Sequence, residues 1–351
     1  MKTMKVARLF APGDLRIVDL PVLKPGPHEA LCRVARVGIC GTDHAIWTGE
    51  ASFVKSGAVH FPMTLGHEWS GIVAAVGEGT TQVRVGDRVV GDTGVACGYC
   101  TECLLGRWPR CRSARAVGTV NAWDGAYAEY LLMPERHLFR LPDGVSLDNG
   151  AMVEPAATAL YAVRKAQVEI GDTVLVQGSG PIGILAAGLA KRSGAARVFI
   201  TGRKERKLRA ALAMGADVAI DTTRESISES LGKHLPSGKV DRLIEASGSA
   251  ELFEQSLRLV EPGGVMSVVA FYDIPLSRFD IDAFVFADVS LVPVGGSLGM
   301  YPPVLGLMAS GQLDAARLIT ERASLGEAAE ILSHFREDPG RIKVMMDVSG
   351  E

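Results

Sequence analysis

The sequence predicts an α/β protein built from two regions of different texture: a β-rich region first, then a doubly wound parallel sheet with helices on its faces. Residues from about 4 to 150 carry short valine and isoleucine runs broken by glycine and proline, as in "EALCRVARVGICG", "SGIVAAVGEG" and "VGDRVVGD", which is the texture of short barrel strands. From about residue 170 strand-like and helix-like segments alternate, as parallel strands joined by crossover helices require. With 351 residues, 47% of them hydrophobic, the chain can bury a large core.

Each element of the second region follows in order. "DTVLVQGSG" reads as a strand running into a glycine turn, "PIGILAAGLAKRSGA" as a helix and "RVFITG" as the next strand, which completes one βαβ unit. Further helix and strand pairs follow in "KLRAALAMGADVAID", in "SISESLGKHL" with "VDRLIEASG", and in "ELFEQSLRLVEPGGVMSVVA". No internal repeat or low-complexity tract interrupts this order.

Charge and hydropathy exclude several partners. The net charge of −3, from 37 basic and 40 acidic residues, gives no field that would draw nucleic acid or an anionic membrane. No apolar run reaches the roughly 20 residues that span a bilayer, and "MKTMKVARLFAPGD" lacks the apolar core of a signal peptide, so a cytoplasmic location is expected.

In a reducing cytoplasm, four cysteines at C-x2-C-x2-C-x7-C (Cys97, Cys100, Cys103 and Cys111) read as thiolates around one tetrahedral zinc. Four sulfurs close the coordination shell, so this zinc would be structural; a disulfide or an empty site is the alternative.

Gly178, Gly180, Pro181, Ile182 and Gly183 belong to "GSGPIG", a G-x-G-x-x-G set between a strand and a helix. Such glycines allow a tight turn and bring backbone amides to a pyrophosphate at the helix N-terminus, against the alternative of a plain structural turn. At the end of the second strand, where an acid would bind an adenine ribose 2′-hydroxyl, stand Gly202, Arg203 and Lys204. Glycine leaves room and two cations attract a 2′-phosphate, which favours NADP over NAD; the alternative is a solvated basic loop.

A second group holds Cys40, Thr42, Asp43 and His44 in "GICGTDHAIWTGE", His67 and Glu68 in "TLGHEWSGIV", and Glu154 in "MVEPAAT". Thiolate, imidazole and carboxylate together suit a catalytic zinc with one open position, although each residue taken singly also has an ordinary structural reading.

Together these segments resemble the zinc-dependent medium-chain alcohol dehydrogenase family, in its sorbitol, threonine and sugar dehydrogenase-like branch. "GHEWSG" followed by Gly77 is close to the family's zinc signature, with Thr80 as a departure, and the cysteine lobe, "GSGPIG" and the late "GGSLG" fall in the family's order. The resemblance implies a GroES-like β-rich catalytic domain from residues 1–155 and 295–351, with the structural zinc lobe at 97–111, and an inserted Rossmann domain at 156–294. It implies two zinc ions per subunit and hydride transfer between NAD(P) and a secondary alcohol, a polyol, sugar or cyclitol. A threonine-type amino alcohol dehydrogenase and, further off, a non-catalytic dinucleotide-binding protein are the rivals. A homo-oligomer, dimer or tetramer, is the expected assembly.

By the same resemblance Cys40 and His67 would ligate the catalytic zinc. Glu68 and Glu154 would compete for the third protein position, Glu154 as the resident ligand and Glu68 as the exchanging one. Asp43 would orient the His67 ring, and Thr42 would pass the substrate proton. Several relatives end the relay with a histidine at the position that is Ala45 here, so either His44 takes over that role or solvent reaches Thr42 directly.

Overall fold

Continuous apolar stretches buried on both faces, interleaved with short alternating ones, set the strands of the first half of the chain. The computed structural model describes residues 2–272 and 279–349. In order the strands are β1 (Thr3–Ala11), β2 (Asp14–Pro21), β3 (Glu29–Ile39), β4 (Met63–Thr64), β5 (Glu68–Val76), β6 (Arg88–Gly91), β7 (Gly94–Val95), β8 (Arg115–Ala116), β9 (Tyr130–Pro134) and β10 (Leu138–Arg140). The parallel region follows with β11 (Thr173–Gln177), β12 (Arg197–Gly202), β13 (Val218–Asp221), β14 (Val240–Glu245), β15 (Val260–Val268) and β16 (Ser290–Pro293), and the chain closes with β17 (Ile319–Ser324) and β18 (Lys343–Asp347).

The chain divides into two compact units, Met1–Glu154 with Tyr301–Glu351, and Pro155–Met300. In the first, β3 is the hub. It pairs antiparallel with β5, β9 and the C-terminal β18, in a sheet ordered β10-β6-β5-β3-β18-β17. The core against it holds Leu9, Val34, Val37, Ile39, Trp69, Val89, Tyr127 and Met346. A half-buried network braces the edge: Arg36 meets Asp148 at 3.1 Å and Asp347 at 3.0 Å, while Arg322 reaches the same two carboxylates. Four alternating charges of this kind fix side chains more effectively than an isolated surface pair would.

The second unit is the doubly wound sheet that the sequence predicts, all parallel, in the order β13-β12-β11-β14-β15-β16. The helices Pro181–Arg192, Glu205–Met214, Ile227–Gly232 and Ala250–Ser256 occur where helical composition places them. Strand order reverses between β11 and β14, and in such sheets ligands bind beyond the C-terminal ends of the strands at that reversal. Among the described residues no helix is long and apolar enough to cross a membrane.

Candidate active site

β3 ends at Ile39, and Cys40 becomes the N-cap of the helix Gly41–Thr48. Asp43, in the first turn, reaches back to accept the Cys40 N–H at 2.9 Å. This acid is fully buried and holds several groups at once. It accepts the Gly66 N–H at 3.3 Å and the Tyr127 hydroxyl at 3.2 Å, and it faces His67 Nδ1 at 3.5 Å. With Nδ1 turned toward Asp43, the ring leaves Nε2 as the nitrogen for a metal, the usual carboxylate–histidine arrangement.

The next residue, Glu68, begins β5 and pairs in register with Gly38 of β3, while Val344 of β18 pairs with Ile39 on the other side. Three adjacent strands thereby bring Glu68, Gly38 and Lys343 together. Lys343 Nζ donates to both Glu68 oxygens, at 2.8 and 2.6 Å, and to the Ile39 carbonyl at 3.1 Å, with lysine and glutamate both buried. Gly38 makes the room: a Cβ there would stand 2.3 Å from Glu68 Oε2.

Ligand atoms of Cys40, His67 and Glu68 all lie within 4.8 Å of one another. Burial disfavours charge on His67 and on Lys343, yet Asp43 and Cys40 for the histidine, and Glu68 with Cys40 for the lysine, outweigh it and raise both pKa values. Burial and then Asp43 likewise raise the Tyr127 phenol. The donors gathered here are a cysteine sulfur, an imidazole and a carboxylate, which is the donor chemistry of a zinc centre.

The other expected site residues fall differently. Glu154, buried on the helix Val153–Lys165 at the end of the first unit, lies outside that group of ligand atoms, whereas Glu68 lies inside it. Thr42 is half-buried in the first turn of the helix Gly41–Thr48. His44 stands two residues later, and residues two apart on a helix do not face each other. Its ring is buried, stacks on Phe335 at 5.3 Å and has its pKa lowered by burial and by Arg336. A direct Thr42-to-His44 relay does not fit this geometry.

The four-cysteine segment folds into a separate knot. Cys97, Cys100, Cys103 and Cys111 place their sulfurs within 4.8 Å of one another, and no cysteine is disulfide-bonded. The Cys100 and Cys111 neighbourhood already shows N–H to sulfur contacts: Cys97 N–H to Cys111 Sγ and Cys100 N–H to Cys97 Sγ, both 3.4 Å. Backbone donors, Tyr99 first, lower the Cys97 thiol to about 6, whereas burial pushes Cys103 up to about 12. A four-sulfur cage with amides aimed at its sulfurs suits a structural zinc. Against the knot packs His137, fully buried, its Nε2–H on the Ala96 carbonyl at 3.3 Å and its ring 5.9 Å from Trp108.

In the second unit β11 runs into the glycine turn and the helix Pro181–Arg192. Gly178 has φ of 103°, and a Cβ on it would press on the Ala246 carbonyl oxygen at 2.7 Å; a Cβ on Gly183 would lie 1.9 Å from the Gly178 carbonyl oxygen. Around Gly180 nothing lies within 4 Å of a Cβ position, which leaves open space over the helix N-terminus for a pyrophosphate. Gly202 closes β12 with exposed Arg203 and Lys204 behind it, and a Cβ at 202 would stand 2.4 Å from Ser179 Oγ.

Comparisons with known proteins agree with both units. The alcohol dehydrogenase GroES-like domain matches residues 26–143, and the zinc-binding dehydrogenase family matches 181–310. Sorbitol dehydrogenase of Bacillus subtilis (strain 168) is 30% identical over 334 residues, covering 94% of this chain and 93% of that protein. L-threonine 3-dehydrogenase of Chromobacterium violaceum is 33% identical over 326 residues, 92% of this chain and 93% of its own. A crystal structure described as a zinc-binding dehydrogenase from Sinorhizobium meliloti 1021 bound to NADP superposes with a TM-score of 0.90 at 31% identity, covering 99% of this chain and 100% of that one. The chain belongs to the zinc-dependent medium-chain dehydrogenase family. As a medium-chain dehydrogenase it is an oxidoreductase of GroES-like and Rossmann build that works with zinc and a nicotinamide cofactor.

For this dehydrogenase, sequence reasoning missed Tyr127, Gly38 and Lys343. Only Lys343 carried a signal, a lone lysine opening the apolar run "KVMM".

Two outcomes follow from these contacts. Gly38→Ala should push the Glu68 carboxylate off Lys343 and destabilise the fold by about 3–5 kcal/mol, as breaking a buried pair does, and the loss should shrink in a Glu68→Ala background; urea unfolding of the four proteins checks it. His137 has its pKa lowered from 6.5 to about 4 by burial, so its contribution to stability is complete above pH 6.5 and is lost as the pH falls toward 4. The Tm difference between wild type and His137→Gln should therefore narrow over that interval, measured by thermal melts across pH.

Proposed function

We propose that this enzyme oxidises a secondary alcohol of the polyol, sugar or cyclitol class, or reduces the corresponding ketone, with NADP(H) preferred over NAD(H). The observation that carries the reaction is the buried Cys40, His67 and Glu68 group with Asp43 behind the imidazole. The substrate class is supported by similarity to a sorbitol dehydrogenase over 94% of the chain. Equal similarity to an L-threonine 3-dehydrogenase keeps an amino alcohol substrate as the second reading. A panel of polyols, sugars, cyclitols and threonine, each with NAD and NADP and followed by nicotinamide absorbance, separates the two: turnover of threonine alone would refute the polyol assignment.

In this reading the catalytic domain is 1–155 with 295–351 and the nucleotide domain is 156–294. Cys40 and His67 hold the catalytic zinc and Glu68 is its exchangeable neighbour, while Cys97, Cys100, Cys103 and Cys111 hold the structural one. When bound, zinc supplies a Lewis acid for the substrate oxygen and the nicotinamide supplies the hydride acceptor. Asp43 faces His67 Nδ1 at 3.5 Å and keeps the ring turned by its charge. Thr42 Oγ1 receives the substrate hydroxyl proton and gives its own to solvent, the His44 ring being stacked on Phe335. The GSGPIG turn seats the pyrophosphate, and Arg203 and Lys204 receive a 2′-phosphate. Six free cysteines accord with a cytoplasmic setting, and a dimer or tetramer is the assembly we assign.

Metal analysis of the purified protein should give two zinc ions per chain. Cys100→Ser should lose one of them together with stability, because metal binding at a closed site contributes to folding. Cys40→Ser should lose the other with turnover while keeping the fold; the reverse pattern would exchange the two assignments.

The enzyme should prefer NADP by about tenfold or more in kcat/KM, roughly 1.4 kcal/mol, and Arg203→Ala should remove most of that preference. Gly202→Asp alone should impair both cofactors, because its Cβ meets Ser179 at 2.4 Å; coupled to Ser179→Gly it should favour NAD. A wild-type preference for NAD would leave the basic pair as a solvated loop.

Thr42→Val should abolish turnover at every pH, whereas His44→Ala should leave the shape of the kcat profile against pH unchanged. Rescue of His44→Ala by imidazole buffer would restore a relay through that ring.

A further inference from the structure

At the C-terminal edge of the parallel sheet, next to the glycine turn, Gln177 of β11 pairs in register with Glu245 of β14. Glu245 is fully buried and its partners are neutral donors. It accepts the Ser247 N–H at 2.8 Å and the Ser247 hydroxyl on one oxygen, and the Tyr272 hydroxyl on the other. Its carbonyl also accepts the Val269 N–H at 2.9 Å, so backbone and side chain of one residue grip both the loop after β14 and the loop after β15. Ser247 passes the order on: its Oγ accepts the Ser249 N–H at 3.0 Å, and Ser249 caps the helix Ala250–Ser256.

This loop is the wall of the glycine turn. The Ala246 N–H donates to the Gln177 carbonyl at 2.9 Å, and a Cβ on Gly178 would lie 2.7 Å from the Ala246 carbonyl oxygen and 2.9 Å from Ser247 Cα. On its other side a Cβ on Gly248 would stand 3.1 Å from the Phe271 carbonyl oxygen. Residues 246–248 are thus clamped between the turn at Gly178 and the segment at 271–272, and the clamp is closed by one buried carboxylate. A buried carboxyl group is tolerated only when its polar atoms are hydrogen-bonded, so Glu245 holds Tyr272 and Ser247 in one geometry.

We infer that Glu245 and Tyr272 are positioning residues for the dinucleotide: by pinning residues 246–248 against Gly178 they hold the glycine turn in the shape that seats a pyrophosphate. The inference rests on reading that turn as the dinucleotide site. It differs from the basic pair at 203 and 204 in a measurable way, because the pyrophosphate is common to NAD and NADP whereas the 2′-phosphate is not.

The test uses the full-length, zinc-loaded protein, with Kd for NADPH and NADH measured by fluorescence titration well below the Tm. Tyr272→Phe, which removes only the hydroxyl, should raise both Kd values about tenfold by the same factor, leaving their ratio and the zinc content unchanged. Ser247→Ala, which removes the other hydroxyl from Glu245, should act in the same direction and serves where Tyr272→Phe folds poorly. Kd values within about twofold of wild type for both nucleotides in both variants would overturn the inference, as would a change confined to NADPH. A wild-type chain that bound neither nucleotide would overturn the reading of the turn itself, and the positioning role with it.

Discussion

A carboxylate and an ammonium buried against each other, Glu68 and Lys343, set the geometry on which the rest of the first unit depends. The two residues are 275 apart in sequence, and their contact forms only when the C-terminal β18 has docked beside β3. A one-residue slip of either neighbouring strand would turn one of the charges to the opposite face, so the pair punishes every register but the native one. Burying two charges is weak as a source of stability, because desolvation offsets most of the attraction. Its effect here is positional: it fixes where the carboxylate beside Cys40 and His67 stands, and Gly38 supplies the space that this position needs.

The same corner explains why a cation belongs there. The ligand atoms of Cys40, His67 and Glu68 lie within 4.8 Å of one another with Asp43 behind the imidazole, and the neighbouring acids raise the pKa values of His67, Lys343 and Tyr127. Lys343 balances part of the negative charge and takes both oxygens of Glu68 in doing so. A divalent ion on the thiolate and the imidazole would compete with the lysine for that carboxylate. Glu68 is thus held by Lys343, whereas Asp43 is fixed behind the imidazole by Gly66, Cys40 and Tyr127.

Much of this was legible in the sequence, and the boundary of legibility is physical. The cysteine knot and the glycine turn are local, so spacing along the chain already carries their geometry, and the alternation of helix and strand after residue 170 carried the parallel sheet. Partners brought in by tertiary pairing left little trace: Tyr127 meets Asp43 across 84 residues, and Tyr272 meets Glu245 across 27, with a helix and a strand between them. Glu154 matches the motif of relatives, but the spacing of that motif does not tell whether its carboxylate joins the ligand atoms of Cys40, His67 and Glu68. The position of His44 was within reach. Once Gly41–Thr48 is a helix, its offset of two from Thr42 puts the two side chains on different faces.

The most direct measurement is the zinc affinity of the Cys40 site, by chelator competition, in wild type, Lys343→Met, Glu68→Gln and the double variant. If Lys343 holds Glu68 away from the metal, removing the lysine frees a buried carboxylate whose best remaining partner is the ion. Lys343→Met should then tighten zinc binding by about tenfold, roughly 1.4 kcal/mol, and the gain should vanish when Glu68 is already glutamine. Looser binding in Lys343→Met, or the same shift with and without Glu68, would contradict the account.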